Sequence, residues 1–320
     1  MHDNDFPAMT TLDDVALEPG ADLAGVDLSG RDLAGVDLTG ADLTGARLLG
    51  CSFVNAHLAR ARLDQAQAIG ADFSGADMSD VSAEGAVFGQ ATMIEVSLFG
   101  AHLENATFAH ADLSGADVRA SRLAGARLRE ANLERADLSR SDLTDADLTR
   151  SHVGSTVFRD VDMTRTRVKA VTGFESADWI GVDIVDVDFA SAYLLRRTIM
   201  DQNYLYEFRT RSKLSAAIYK VWWLTSDCGR SFVRWGLWTA LLAVAFAYAY
   251  THVAIDYGAY ETPLSPLYYS VVTLTTLGYG DVLPASMPGQ LLAMVEVVAG
   301  HVMLGGMLSI FATKMGTRAG

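Results

Sequence analysis

From Ala21 to Val168 the chain repeats itself every five residues. The unit reads Ala-Asp-Leu-x-Gly at Ala21-Asp22-Leu23-Ala24-Gly25, and Val26-Asp27-Leu28-Ser29-Gly30 follows it in phase. A large apolar residue holds the centre of each unit: Leu33, Leu38, Leu43, Phe53, Phe73, Met78, Phe88, Leu103 and Phe158 are examples. Two positions earlier stands a small residue, most often Ala. About 30 units run unbroken, a one-residue slip falls near Gly173-Phe174, and about four more units end at Ala192-Tyr193-Leu194. A fixed repeat constrains the fold because each unit can bury its apolar side chain only against its neighbours. A period of five matches neither a helix nor a simple strand. It fits a square coil with one unit per side and both the central and the small residue pointing inward. Four units per coil give about eight and a half coils, and stacking at the ~4.8 Å strand spacing makes a rod roughly 40 Å long.

This pattern resembles the pentapeptide-repeat family. The resemblance implies a right-handed quadrilateral β-helix over residues 21–196, preceded by an acidic segment, 1–20, that caps or frays. Cys51 occupies an inward small-residue slot and reads as a core residue. From Met1 to Leu195 there are 32 acidic and 15 basic residues, a net of −17, while the remainder is +3. So acidic a rod does not bind nucleic acid by neutralising phosphates. Three roles stay open for it. It is a soluble cytoplasmic spacer or assembly domain, a regulatory element with an unknown cytoplasmic protein partner, or a DNA-like decoy of the kind some pentapeptide-repeat proteins provide.

The C-terminal third changes character. Two apolar stretches, Phe232 to Val253 and Gly289 to Phe311, are each long enough for the ~20 helical residues that a bilayer requires. Trp235, Trp238, Tyr248 and Tyr250 flank the first of them, as interfacial aromatics do. Between the spans, Pro266 to Thr275 is too short to cross and reads as a re-entrant helix. Thr276-Leu277-Gly278-Tyr279-Gly280-Asp281 follows it. Glycine at alternate positions permits the left-handed backbone that lets successive carbonyls face one axis. The connection from Thr251 to Met287 has no Lys or Arg, whereas basic residues precede the first span and follow the second. The positive-inside bias then puts both termini in the cytoplasm.

This stretch resembles the pore of two-helix potassium channels, whose pattern is Thr-Val-Gly-Tyr-Gly-Asp; here Leu277 replaces Val. The resemblance implies an all-α transmembrane pore domain over 232–313, with spans 232–253 and 288–312, a pore helix over 265–275, a filter over 276–281 and a short tail over 314–320. It implies K+ coordinated by Thr276, Leu277, Gly278 and Tyr279, with Gly280 completing the filter and Asp281 at its outer mouth. One loop cannot close a pore, so a homotetramer in a lipid bilayer is implied. Val272 stands where some channels have a Glu behind the filter, and Tyr268 and Tyr269 replace a common Trp pair. Gly300 falls at the family's hinge position, with Gly305 and Gly306 as a second flexible point; close helix packing is the other reading of these glycines. His301 and Leu304 fall on the cavity-lining face, with a histidine packed neutral against a neighbour as the alternative for His301. Glu296 is an ionisable group at membrane depth. It reads as filter support that accepts a hydrogen bond from Thr or Tyr, or as a protonated buried carboxyl.

Residues 197–231 link the two parts. Asn203 to Leu224 reads as one helix, lying on the inner membrane surface or capping the open end of the β-helix. No span carries Arg at every third position, so steep voltage gating is not expected. The seven His and two Cys, Cys51 and Cys228, show no metal spacing, and no nucleotide-binding or nucleophile motif is present. The start, Met1-His2-Asp3-Asn4-Asp5, is acidic where signal peptides are basic. The expected protein is a non-enzymatic potassium channel of a bacterial inner membrane, needing no cofactor beyond K+ in its filter. The rival is a membrane-anchored pentapeptide scaffold with weak or non-selective conduction.

Overall fold

In a computed structural model of the chain, residues 16–190, 192–258 and 261–316 are described. The expectations for the first fifteen residues and for the tail beyond Gly316 lie outside them. Two compact units divide the chain, Met1–Tyr206 and Glu207–Gly320.

The first unit is a four-sided β-helix. Parallel bridges join residues 20 apart, from Asp22↔Asp42 through His152↔Thr172. On each side the central residue donates its N–H one coil upward, as Leu23 does to Asp42 O at 2.7 Å, and Asp42 N returns to Ala21 O at 2.9 Å. A turn bond closes most corners, as from Val26 N to Leu23 O at 3.1 Å. The bridge spacing becomes 21 at Val157↔Asp178. The extra residue lies in the corner between Thr172 and Asp178, which is the slip the sequence places near Gly173-Phe174.

The repeat chemistry explains the coil. Central residues and the small residues two before them fill the interior; Leu23, Ala41, Phe53 and Ala56 are fully buried. Cys51 fills a small slot, where its thiol reaches Leu28 O at 2.9 Å and burial pushes its pKa up. The last residue of most described corners takes positive φ: Gly in many repeats, Asn55, Arg60 or Ala120 in others. The outward Asp of the repeat has a local task. Its Oδ1 accepts the N–H two residues on, as Asp37 does from Thr39 at 3.1 Å and Asp72 does from Ser74 at 2.9 Å. Such Asx turns fix the corner without help from the core.

These bonds make the rod acid-sensitive. The Thr39 hydroxyl and then its N–H hold the Asp37 carboxyl below the ordinary range, and Thr44 and Thr164 do the same for Asp42 and Asp162. Arg119 and Arg165 likewise lower Asp117 and Asp145. A lowered folded pKa stabilises above the unfolded value and loses that stability as pH falls through the folded one. The β-helix is therefore expected to keep its full melting temperature down to about pH 4 and to lose it progressively below. Thermal unfolding of the detergent-solubilised full chain, followed at the β-sheet signal across pH 2–6, checks this; a flat profile would refute it.

Aromatic residues stack along the interior. Phe53 and Phe73 lie 5.0 Å apart between centroids, Phe73 meets Phe88 edge-on at 5.7 Å, and Phe88 stacks on Phe108 at 5.2 Å. Phe73 sits in the middle of this run with no exposed surface. Phe73→Ala is expected to cost about 3–5 kcal/mol of rod stability, because the stiff coil cannot collapse into the cavity. Denaturant unfolding of the full chain measures it.

Helix α1 (Tyr193–Thr210) closes the coil. It begins inside the last units assigned to the repeat, which corrects the 196 boundary: Leu194 is exposed, and Leu195 and Ile199 plug the core instead. The open ladder edge is met by two side-chain amides. Gln202 accepts from Trp179 N and donates to Ala177 O, both at 2.9 Å. Asn203 accepts from Gly181 N at 2.8 Å and donates to Trp179 O at 2.9 Å. On the side from Ala177 to Gly181 these amides replace the backbone of a further coil, which removes the pairing template there. Of the two readings of the linker, α1 takes the cap.

The expected single helix from Asn203 to Leu224 is two helices. Ser212 adopts an extended conformation and caps α2 (Lys213–Ser226) in a reciprocal pair with Ser215. That box satisfies the orphan N–H groups of a new helix and so ends the old one. A turn through Asp227, Cys228 and Gly229, all at positive φ, leads into α3 (Phe232–Tyr250). Then come β1 (Ile255–Asp256), α4 (Ser265–Leu274), β2 (Leu283–Pro284) and α5 (Met287–Gly316). Strands β1 and β2 pair antiparallel, Ile255 with Pro284 and Asp256 with Leu283.

Candidate functional site: a re-entrant loop between two apolar helices

Helix α3 and residues Met287–Ala312 of α5 are each long and apolar enough to cross a membrane, and only 11% of each window is buried within the chain. Leu237, Val244 and Tyr248 on α3 and Met294, Val298 and Val302 on α5 are exposed. Apolar surface of this extent calls for lipid or further protein.

Between these helices α4 carries the loop of interest. Pro266 stands in its first turn, where a missing N–H costs nothing. It ends at Leu274, and Leu277 N donates back to Val272 O at 3.1 Å. From there the backbone alternates. Thr276, Gly278 and Gly280 have φ of +60°, +52° and +76°, while Leu277 and Tyr279 between them are not in the positive region. Alternation of this kind turns successive carbonyls toward one side. The side chains of Leu277 and Tyr279 are exposed in the single chain.

The loop is held from three directions. The Tyr268 hydroxyl donates to Asp281 Oδ2 at 2.7 Å, tying the C-terminal end of the loop to the start of α4. The β1–β2 pair and the bond from Ala285 N to Ala254 O at 3.0 Å tie its exit to the end of α3. Beneath it, Tyr250, Tyr269 and Val282 form a small core; Tyr250 and Tyr269 meet edge-on with centroids 4.7 Å apart. Val272 is buried against the loop as well. Tyr268 and Tyr269 thus part ways, one holding Asp281 and the other packing below.

Glu296 is buried completely. Its partners are the Tyr250 hydroxyl, at 2.6 Å, and the Ser270 hydroxyl. Sequence reasoning points to Thr or Tyr as donors and misses Ser270, because nothing local marks one serine of α4 as facing a carboxyl 26 residues away.

The glycines of α5 sort by contact. A Cβ on Gly300 would stand 2.1 Å from the Leu274 carbonyl oxygen, and one on Gly306 2.2 Å from the Trp235 ring. Both are close-approach positions between packed elements. The Trp235 indole also donates to Met303 O at 2.7 Å. Gly305 has open space around it. His301 and Leu304 are exposed in the single chain, and His301 Nδ1 lies 2.8 Å from Val297 O within its own helix. Among the described residues no group of three or more His, Cys, Asp or Glu is placed to hold a metal ion.

Comparison with known proteins agrees with this division. Residues 236–316 match the ion channel family model, and residues 21–160 match pentapeptide repeats in 8 copies. The N-terminal region is a pentapeptide-repeat right-handed β-helix, and the C-terminal region is an ion channel domain with two apolar helices. Two pore potassium channel b of Oryza sativa subsp. japonica is 45% identical over 67 residues, 21% of this chain and 18% of that protein. Two-pore potassium channel 1 of Arabidopsis thaliana is 49% identical over 43 residues, 13% of this chain and 12% of that protein. The chain therefore spans less than a fifth of either relative. Among solved structures, HetL of Nostoc sp. strain PCC 7120, a pentapeptide repeat protein, covers 54% of this chain and 89% of its own at 23% identity and a TM-score of 0.41. QnrB1, a plasmid-mediated fluoroquinolone resistance protein, covers 57% and 97% at 15% identity and a TM-score of 0.28.

Proposed function

We propose that the chain is a potassium-selective channel whose pore is closed by four copies around one axis. The observation that carries this reading is the alternating backbone of Thr276 to Gly280, presented between two membrane-length helices. A cation sheds its water only where oxygens replace it, and four such loops supply rings of carbonyls. The plant relatives, both potassium channels, support the choice of ion. Uncovered apolar faces on α3 and α5 support both a bilayer and neighbouring copies.

In this proposal Thr276, Leu277, Gly278 and Tyr279 line the ion path and Gly280 completes it. Asp281, Tyr268, Tyr269, Val272 and Glu296 hold the loop. Gly300 packs rather than bends, and Gly305, with free space about it, is the candidate flexible point beside Gly306. His301 and Leu304 face the cavity below the filter. Both termini lie in the cytoplasm, by the distribution of basic residues. The β-helix is an assembly or regulatory domain for a cytoplasmic partner.

The test is the reversal potential of the purified full-length protein in planar bilayers, with potassium on one side and sodium on the other. A strong shift toward the potassium equilibrium potential is expected. A reversal near zero would overturn the selectivity, and protein that reconstitutes without current under any condition would favour a membrane-anchored scaffold.

A further inference from the structure

Glu296 brings three elements to one point. Tyr250 comes from the end of α3, Ser270 from the middle of α4, and Glu296 itself from α5. The Ser270 oxygen has a second neighbour, the Ala243 carbonyl, at 2.8 Å. Hydrogens can be counted here. A serine hydroxyl carries one, and a backbone carbonyl can only accept. One hydrogen cannot serve both contacts fully; with it on Ala243, the contact between Ser270 Oγ and Glu296 Oε1 is filled only by a proton on the carboxyl. The Tyr250 hydroxyl is already committed to Oε2. An ionised carboxylate would face a hydroxyl lone pair in a site without water access, which is costly. A carboxylic acid closes the chain of donors: Tyr250 to Oε2, then Oε1–H to Ser270, then Ser270 to Ala243.

The surroundings offer no alternative counter-charge. From Trp235 to Thr313 the sequence has no Lys or Arg. The two histidines of this stretch, His252 and His301, are exposed and bonded to their own helices, His252 to Tyr248 O and His301 to Val297 O.

We propose that Glu296 is held as a neutral carboxylic acid and is a positioning residue that fastens α4 to both spans. Because the loop from Thr276 hangs from the end of α4, the position of Ser270 sets the position of the carbonyls. The conduction part of this proposal rests on the channel reading; the proton does not.

Two measurements test it. The first is infrared absorption of the full-length protein at neutral pH. Wild type is expected to show the carbonyl stretch of a protonated, buried carboxylic acid, and E296Q to lack it. The second is the bi-ionic reversal potential. Glutamine can accept from Tyr250 and donate to Ser270 as the acid does, so E296Q is expected to keep the wild-type reversal potential. E296A, which can do neither, is expected to shift it toward zero, and S270A to follow E296A. Absence of the band from wild type overturns the proposal, and so does an E296Q as impaired as E296A. If wild type shows the band but passes no potassium-selective current, the acid stands and the channel reading is what fails.

Discussion

Gly278→Ala is expected to abolish potassium selectivity and move the bi-ionic reversal potential to near zero. The cause is backbone, not crowding, since apart from its two chain neighbours no described residue of the chain comes within 4 Å of where the Cβ would stand. Gly278 holds φ at +52°, in the left-handed region. An L-residue there costs about 1–2 kcal/mol. In the proposed assembly four copies incur it together, about 4–8 kcal/mol by the same figure. Relaxing that strain rotates the peptide units on either side, and their carbonyls leave the axis. Leu277→Val is the matched control, because Leu277 offers only its carbonyl and its side chain is exposed in the single chain. It should conduct with unchanged selectivity. A selective Gly278→Ala channel would remove the carbonyl-ring account.

Gly300→Ala is expected to be nearly as damaging, by a different route. The new methyl would stand 2.1 Å from the Leu274 oxygen, 2.9 Å from its carbonyl carbon and 3.1 Å from its Cα. All three are backbone atoms at the end of α4, so no side chain can swing aside. Overpacking of this kind costs about 1–3 kcal/mol and forces the backbone to shift. The segment that must yield is the one from which the loop hangs, so selectivity should suffer with current. Gly305→Ala, placed in open space, should leave the reversal potential unaltered. The pair separates packing from bending. If Gly300→Ala changes only the fraction of time the pore is open, with reversal intact, Gly300 is a hinge after all.

The coil is legible in the amino-acid sequence because its inward positions recur at a strict interval and tolerate few residue types; even the slip near Gly173 shows as a break in phase. The spans are legible from length and hydropathy, and the loop from an unusual run of glycine and threonine. The cap is not legible. Gln202 and Asn203 are ordinary polar residues of a helix until the open edge of the coil gives their amides four backbone groups to satisfy. The break before α2 is hidden for a related reason. Ser212 and Ser215 look like mild interruptions of one amphipathic pattern, and only their reciprocal bonding makes them a helix start.

The amino-acid sequence by itself determined a period-five coil, two membrane-length helices and a glycine-alternating loop between them, because each follows from repetition, composition or local backbone freedom within a few residues. Tertiary structure alone decided which glycine is tight and which is free, which hydroxyl meets Glu296, and what closes the coil. Gly300 and Leu274 touch across 26 positions, and Tyr250 and Glu296 across 46. Contacts between such distant residues depend on how packed helices approach each other, and no local pattern encodes that distance.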